Sequence, residues 1–337
     1  MQTVLGKKVG IDLGTTTTRI IVKGEGMIAS EPTAVAIRGG GMQAAVFGES
    51  AFETAADDPE FQLKHPIARG EVADAASARW LVNHAMIRAA GRQRIFKPDV
   101  VIAVMSSLPG GQRRSLLEAA ALAGARTAYL LDAPLAAAMG AGIRLSGPNG
   151  HLVIDIGAGK TDVAALALEG TVSGRCLAGH GGMRLHACVA DQVRKEHGVI
   201  LDAATVEEVI ASLARVGPHE ERRLDVMGMG AEDQQEVSLT ITSTEMNGCL
   251  DAHVHPILAA VDAVIADTPG RLLADIQREG ILLCGGGAQL EGLDRAIAGA
   301  TGIEVHRESQ PQLCAVRGTG YALDNLDVLK RALMYIR

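Results

Sequence analysis

Aromatic side chains are scarce: among 337 residues there are one Trp, three Tyr and four Phe. Cores must therefore be built from Ala, Val, Leu and Ile, and few residues are left to stack on nucleic-acid bases or sugar rings. Cysteine offers no scaffold either. Cys176, Cys188, Cys249, Cys284 and Cys314 are odd in number, scattered and never spaced as CxxC, which reads as reduced, buried thiols of a cytoplasmic protein. The ten histidines form neither HxxEH nor HExxH, so they read as structural or surface imidazoles. No uncharged apolar run reaches the length of a bilayer span, and only Met1 to Lys8 precede the first apolar segment, which predicts neither a spanning helix nor a secretory leader. The formal net charge of −7 argues against a general nucleic-acid coat, although local basic patches act by placement rather than by sum. What remains is an apolar fraction of 47%, enough for two globular domains.

Two stretches are near copies of one another. Ile11-Asp12-Leu13-Gly14 runs into Thr15 to Thr18, and Ile154-Asp155-Ile156-Gly157 runs into Ala158-Gly159-Lys160-Thr161, with the aspartates 143 residues apart. In each, an apolar run (Val9 to Leu13, Leu152 to Ile156) enters a turn of small residues and leaves as another (Arg19 to Val22, Val163 to Leu168), the pattern of strand, loop, strand. Repetition at this spacing implies two similar halves, each sending an acidic residue into the cleft between them. Gly- and Thr-rich turns let backbone N–H groups approach phosphate oxygens, and paired carboxylates suit a hydrated divalent cation. The alternative for each aspartate is an Asx-turn with no ligand.

Between the hairpins, Ser30-Glu31-Pro32 opens an extended segment, Thr33 to Ile37, ending at Gly39-Gly40-Gly41. Asp74 to Ala90 has helical periodicity, with Trp80 as a core anchor. Val100 to Val104 reads as a buried strand, Gln112 to Ala123 as a helix stopped by Gly124, Tyr129 to Leu131 as a strand, and Pro134 as the start of a helix through Met139. Gly147-Pro148-Asn149-Gly150 marks the domain boundary. Beyond the second hairpin come amphipathic helices over Met183 to His197 and Ala204 to Ala214, a strand-bearing insertion from Gly217 to Thr244, and a helix from Cys249 to Ile265. The strand Ile281 to Cys284 runs through Gly285-Gly286-Gly287 into a helix from Leu290 to Ala298, a unit suited to backbone approach by a nucleotide.

Taken in order, DLGT, DIGAGKTD, GHGG and CGGGAQLEG form the series found in the actin and sugar-kinase superfamily. The chain resembles bacterial actins of the MreB type over nearly its whole length. The likeness includes Val22-Lys23-Gly24-Glu25-Gly26, His65-Pro66 with Gly70 to Asp74, Ala136 to Gly142, Leu293-Asp294-Arg295 and Cys314 to Gly318. It implies an α/β fold of duplicated actin-like (ribonuclease H-like) domains, each a mixed sheet flanked by helices, with a nucleotide cleft between them and two small inserted subdomains. Residues 1–148 would form the first domain, with an insertion at about 31–72 and a C-terminal helix, 316–337, returning to it; residues 149–315 would form the second, with an insertion at about 183–248.

The resemblance implies ATP and Mg²⁺ as ligands. Gly14, Thr15, Thr16 and Thr17 would cradle the β-phosphate, and Gly157, Ala158, Gly159, Lys160 and Thr161 would cover the γ-phosphate. Asp12 and Asp155 would hold Mg²⁺ through water and help orient the attacking water. Gly181 and Gly182 of the GHGG turn, with the helix carrying Glu207, would approach the ribose, and Gly285, Gly286 and Gly287 the adenine. Arg19 reads either as added positive charge near the phosphates or as a solvated strand residue. Lys160 stands where such chains usually carry Thr and reads as outward-pointing or as a cation beside the γ-phosphate. Two further departures touch chemistry: Gln112 replaces the usual Glu before Arg113-Arg114, and Asp132-Ala133 replaces Glu-Glu before Pro134. An amide at Gln112 can orient a water but cannot accept its proton, which implies slow ATP hydrolysis.

Ile95-Phe96, among Arg92, Arg94 and Lys97, coincides with the loop that in MreB-like proteins enters the membrane surface; the alternative is a Phe packed into the core. The resemblance further implies head-to-tail protofilaments of the chain with itself, a peripheral location at the inner membrane surface, cell-wall synthesis membrane proteins as partners, no nucleic acid, and a role in cell shape. Filaments for organelle or plasmid positioning, a small-molecule kinase and a chaperone-type ATPase are the alternatives.

Overall fold

The computed structural model describes residues 6–39, 45–91, 96–145, 147–167, 170–326 and 334–336. The first hairpin forms as its apolar alternation predicts: β1 (Lys8–Leu13) and β2 (Thr17–Val22) pair antiparallel, with Asp12 opposite Arg19. β3 (Gly26–Pro32) extends the meander. A separate small sheet follows, from β4 (Val35–Arg38), β5 (Ala45–Phe47) and, after helix α1 (Glu49–Asp57), β6 (Phe61–Lys64). The ribbon of β7 (Ile67–Ala68) and β8 (Glu71–Val72) returns the chain to α2 (Ala75–Ala90), which starts where the Asp74 side chain accepts from the N–H groups of Ala76 and Ser77. β9 (Asp99–Val104), α3 (Gly110–Leu122), β10 (Thr127–Asp132) and α4 (Ala133–Gly140) lead to the second half.

There β11 (His151–Ile156), β12 (Lys160–Ala167) and β13 (Gly170–Ala178) repeat the meander. An insertion follows with its own sheet: α5 (Gly182–His197), β14 (Val199–Ile200), α6 (Ala203–Leu213), β15 (Arg223–Gly230) and β16 (Glu236–Thr242), packed around Val189, Val209 and Ile241. α7 (Asn247–Asp267), α8 (Gly270–Glu279), β17 (Ile281–Cys284), a 3₁₀ turn at Gly286–Gln289, α9 (Leu293–Thr301), β18 (Val305–Arg307), a second 3₁₀ turn at Pro311–Leu313, α10 (Cys314–Asp324) and β19 (Met334–Ile336) complete the described elements. The two main sheets share one plan. In the first, β3-β2-β1 run antiparallel and β1-β9-β10 parallel; in the second, β13-β12-β11 run antiparallel and β11-β17-β18 parallel. The duplication legible in the hairpins extends through both sheets.

Helices α4 and α10 join the halves. One buried cluster takes in Val101, Tyr129 and Leu131 of the first sheet, Ala136 to Met139 of α4, Cys314, Ala322 and Leu323 of α10, and Val153, Leu166 and Leu282 of the second sheet. The two helices meet backbone to backbone: a Cβ on Gly318 would lie 1.7 Å from the Ala136 carbonyl oxygen, and one on Gly140 would lie 1.8 Å from that of Cys314. Alanine-rich α4 permits this approach because it carries no bulk at the crossing.

Some expectations are corrected. Trp80 is half-buried and outside the core; Ala78, Leu81, Val82, Ala85 and Met86 carry that face of α2. Of the expected terminal helix 316–337, α10 covers the start, 327–333 lie outside the described residues, and Met334–Ile336 are instead the strand β19, paired antiparallel with β10. Cys188 and Cys249, 61 residues apart, are joined as a disulfide because α5 and α7 pack together, so the expectation of five reduced thiols fails for these two. Helix α7 is long and apolar enough by composition to span a bilayer, but Leu250, Val254, Ile257, Val261 and Val264 are buried in the protein core. Ile95, Arg92 and Arg94 lie outside the described residues, and Phe96 is 51% exposed rather than packed inward.

Gly318→Ala is expected to cost about 3 kcal/mol, since the methyl group would collide with rigid backbone. Urea unfolding of the variant against the wild type measures it, and a loss below about 0.5 kcal/mol would contradict the close crossing.

Candidate functional site

The two hairpin turns face each other across a cavity of about 970 Å³. Asp12, Gly14, Thr15, Thr16 and Thr17 line one wall, and Asp155, Gly157, Ala158, Gly159 and Lys160 the opposite one. Gly182, Glu207, Gly285, Gly286 and Gly287 also line it. The turns nearly touch: a Cβ on Gly159 would lie 2.3 Å from Thr15 Oγ1, so only glycine fits there. Gly285, at φ +81°, supports the other side, where a Cβ would meet the Ile156 carbonyl oxygen at 2.3 Å. Between the turns sits the tip of the β7–β8 ribbon. Gly70 N–H donates to Thr15 Oγ1 (3.0 Å), a Cβ on Gly70 would lie 2.9 Å from Lys160 Cγ, and Arg69 adopts φ 55° beside Gly179.

Three expected residues take other places. Thr161 is fully buried and its hydroxyl donates to the His180 carbonyl (2.7 Å). Gly181 precedes α5 and packs against the carbonyl oxygens of Gly157 and Ala158, holding the second turn from behind. Gln112 is not on the cavity wall: its Oε1 accepts from the Val72 N–H at 3.0 Å, tying α3 to the β7–β8 ribbon. The structure therefore gives Gln112 a structural partner and does not bring it to the cleft, where Ala133 presents only a methyl group. The neighbouring Asp132 pairs with Arg113 at 2.6 Å, and Arg113 also donates to the carbonyls of Met105, Ser106 and Leu108.

Cations define the charge of the site. Arg19 turns into the cleft, with Nη1 3.6 Å from Asp12 Oδ2, which settles its reading against a solvated strand residue. Lys160 also turns inward: Nζ donates to Asp155 Oδ2 (2.8 Å) and Asp162 Oδ2 (2.5 Å) and is 12% exposed. Asp155 and Asp162 stand directly opposite one another on β11 and β12, a like-charge cross-strand pair whose repulsion the shared ammonium offsets. Burial works against the charge on Lys160, but the two carboxylates outweigh it and raise its pKa far above the ordinary lysine range. Asp162 is fully buried; burial favours its neutral form, yet Lys160 and the Ser106 hydroxyl (2.5 Å) hold it ionised below the ordinary carboxylate range.

This arrangement decides how a ligand fits. Arg19 Nε and His253 Nδ1 are buried without a hydrogen-bond partner among the described residues, and both side chains line the cavity. Unpaired buried polar atoms of this kind call for a polar ligand. Burial, then His180 and Arg184, pull His253 down to about 4, so its ring is neutral near pH 7 and suits an uncharged group. A divalent cation fits less well. Asp12 and Asp155 are each already opposed by a cation, and two unit charges about 4 Å apart interact by about 4 kcal/mol at the effective dielectric of a protein surface, doubled for a divalent ion. The donor set expected for Mg²⁺ is present, but it is paired within the chain.

Two facing acidic hairpins on a duplicated sheet, with glycine turns closing a polyphosphate-sized cleft, define an actin-like protein. The family model described as MreB/Mbl protein matches residues 6–331, and the chain belongs to that family. It is similar to the cell shape-determining protein MreB of Escherichia coli (strain K12), 33% identical over 326 residues that cover 94% of this chain and 93% of that protein. It is similar to the cell shape-determining protein Mbl of Bacillus subtilis (strain 168), 29% identical over 332 residues, covering 97% and 99%. Among solved structures, MreB5 of Spiroplasma citri bound to AMPPNP superposes with a TM-score of 0.86 at 25% identity, covering 96% of this chain and 97% of that one.

Burial raises the Asp12 carboxyl to about 6, against Arg19, with Asp155 adding to the rise and Lys160 opposing it. The folded protein therefore holds this proton more tightly than the unfolded chain, whose carboxyl titrates near 3.8. The penalty is absent below pH 4, grows through pH 4 to 6 and is complete above that. Asp12→Asn is expected to stabilise the fold by up to about 3 kcal/mol at pH 7.5 and not at pH 3.5. Chemical denaturation at both pH values checks it; equal stability at pH 7.5 would contradict the buried charge.

Proposed function

We propose that this chain is a nucleotide-dependent filament protein that serves cell shape, binding ATP in the cleft and assembling head to tail. The observation that carries the reading is the cavity between the paired hairpins, where Arg19 Nε and His253 Nδ1 have no partner among the described residues, in a chain that matches cell shape-determining proteins over nearly its full length. The MreB5 relative is bound to AMPPNP in its crystal structure, which favours a nucleoside triphosphate here. In this reading the halves divide near residue 148, with insertions at about 31–72 and 183–248, and ATP enters between Gly14–Thr17 and Gly157–Lys160. Thr161 and Gly181 support the second turn, Glu207 with Gly182 lies on the ribose side, and Gly285 to Gly287 on the adenine side.

Hydrolysis in this reading is slow and timed to filament state. Gln112 is held by Val72, and Ala133 offers no oxygen to a water at the cavity wall. Asp12 and Asp155 are left to orient it, each opposed by a cation. The polymer sits at the inner surface of the cell membrane, where exposed Phe96 with Ile95 enters the bilayer boundary amid basic residues. Each cation near an anionic leaflet contributes about 1 kcal/mol, so binding is weak per subunit and gains strength from the polymer. Cell-wall synthesis proteins of that membrane are the partners the reading implies.

Electron microscopy of the purified protein with ATP is expected to show filaments that are absent without nucleotide; monomers under both conditions would overturn the reading. Ala133→Glu is expected to speed phosphate release at least about tenfold at matched polymer concentration, by restoring a carboxylate at the wall. An unchanged rate would place the slow step elsewhere. The double variant Ile95→Ala with Phe96→Ala should abolish co-sedimentation with anionic liposomes while filaments still form, and unchanged pelleting removes the membrane assignment.

A further inference from the structure

Lys160 is a cleft-lining cation that the family pattern does not supply, and its placement has a consequence for the ligand. We propose that Lys160, fixed by Asp162, provides the positive charge for the nucleotide's polyphosphate that a divalent metal would otherwise bring, so that this chain binds ATP with little dependence on divalent cations. The inference rests on the cleft being a nucleotide site and deepens that reading.

The geometry carries it in three steps. Asp162 is a rigid anchor: it is fully buried, accepts from Ser106 Oγ at 2.5 Å and from Lys160 Nζ at 2.5 Å, and is not on the cavity wall. Lys160 emerges directly from the second glycine turn and does line the cavity, so its ammonium is held at the wall by a group that cannot follow a ligand outward. An ammonium has three N–H donors; Asp155 and Asp162 take two, leaving one for a phosphate oxygen. At the phosphate end of the wall Asp12 faces Arg19 and Asp155 faces Lys160, whose charge Asp155 shares with buried Asp162. A polyphosphate entering this end meets two cations and the N–H groups of both turns. A metal ion entering it meets carboxylates already paired.

The rival is that Lys160 serves only the Asp155–Asp162 pair and never touches the ligand. Isothermal titration calorimetry with ATP, once in MgCl₂ and once in excess EDTA, separates the two. For the wild type the affinities are expected to agree within about threefold, and a drop of more than tenfold in EDTA overturns the proposal. Lys160→Met should lose at least tenfold in EDTA, while Lys160→Arg retains most of the wild-type value. If Lys160→Met, shown folded by circular dichroism, binds in EDTA as the wild type does, the assignment to Lys160 is overturned. Should Lys160→Met fail to fold, the wild-type comparison and the Arg variant still decide. Absence of ATP binding by the wild type in both buffers is a different failure: it removes the nucleotide reading itself.

Discussion

Everything in this molecule depends on two helices that cross without side chains between them. The Gly318 and Gly140 positions of α10 and α4 admit carbonyl oxygens of the other helix where any Cβ would collide, and the buried cluster around them includes strands from both main sheets. Such contact leaves no slack: interiors packed at crystal-like density transmit displacement instead of absorbing it. The two hairpins that face the cleft are β1–β2 and β11–β12, and both belong to sheets seated on this pair of helices. Their spacing, and with it the shape of the cavity, is set from below.

Above that base, the cleft is organised by a symmetry that is broken in one place. Each half contributes an acidic strand end and a partner directly across the hairpin. In the first half the partner of Asp12 is Arg19, an opposite charge. In the second the partner of Asp155 is Asp162, a like charge, and Lys160 from the same turn resolves the conflict. Duplicated backbones thus carry different electrostatics, and the chemistry of the site follows from that difference more than from the shared fold. The network reaches across the cleft as well, from Asp162 through Ser106 to the loop that Arg113 pins beside Asp132.

How much of this was legible varied with the physics of each segment. The hairpins and β17 are near-continuous apolar runs bounded by glycine, β9 is one entered from Pro98, and their positions follow directly from periodicity. β13, with Gly, Ser and Arg among its residues and mostly outside the core, carries no such signal, and neither do α1 nor the short strands β5 to β8. The cleft-lining turns were readable because of their glycines. His253 and Arg215 were not, since they reach the cavity from α7 and from the segment after α6, which bear no ligand motif. The inward aim of Lys160 did leave a trace: residues 160 and 162 are two apart on one strand and share a face, and Asp162 lies across from Asp155. Gln112 went astray because sequence likeness cannot say which backbone N–H claims an amide first. The pairing of Cys188 with Cys249 depends on how α5 and α7 dock, which spacing does not encode.

The tip of the β7–β8 ribbon couples this chemistry to the outer part of the first half. Arg69 holds a left-handed backbone that costs a non-glycine residue on the order of 1 kcal/mol, while its neighbour Gly70 bridges Thr15 of one turn and Lys160 of the other. A side chain at position 70 would press on Lys160 from a left-handed backbone, so the ribbon, which follows the small sheet of β4 to β6 directly in the chain, can meet both turns only through a glycine.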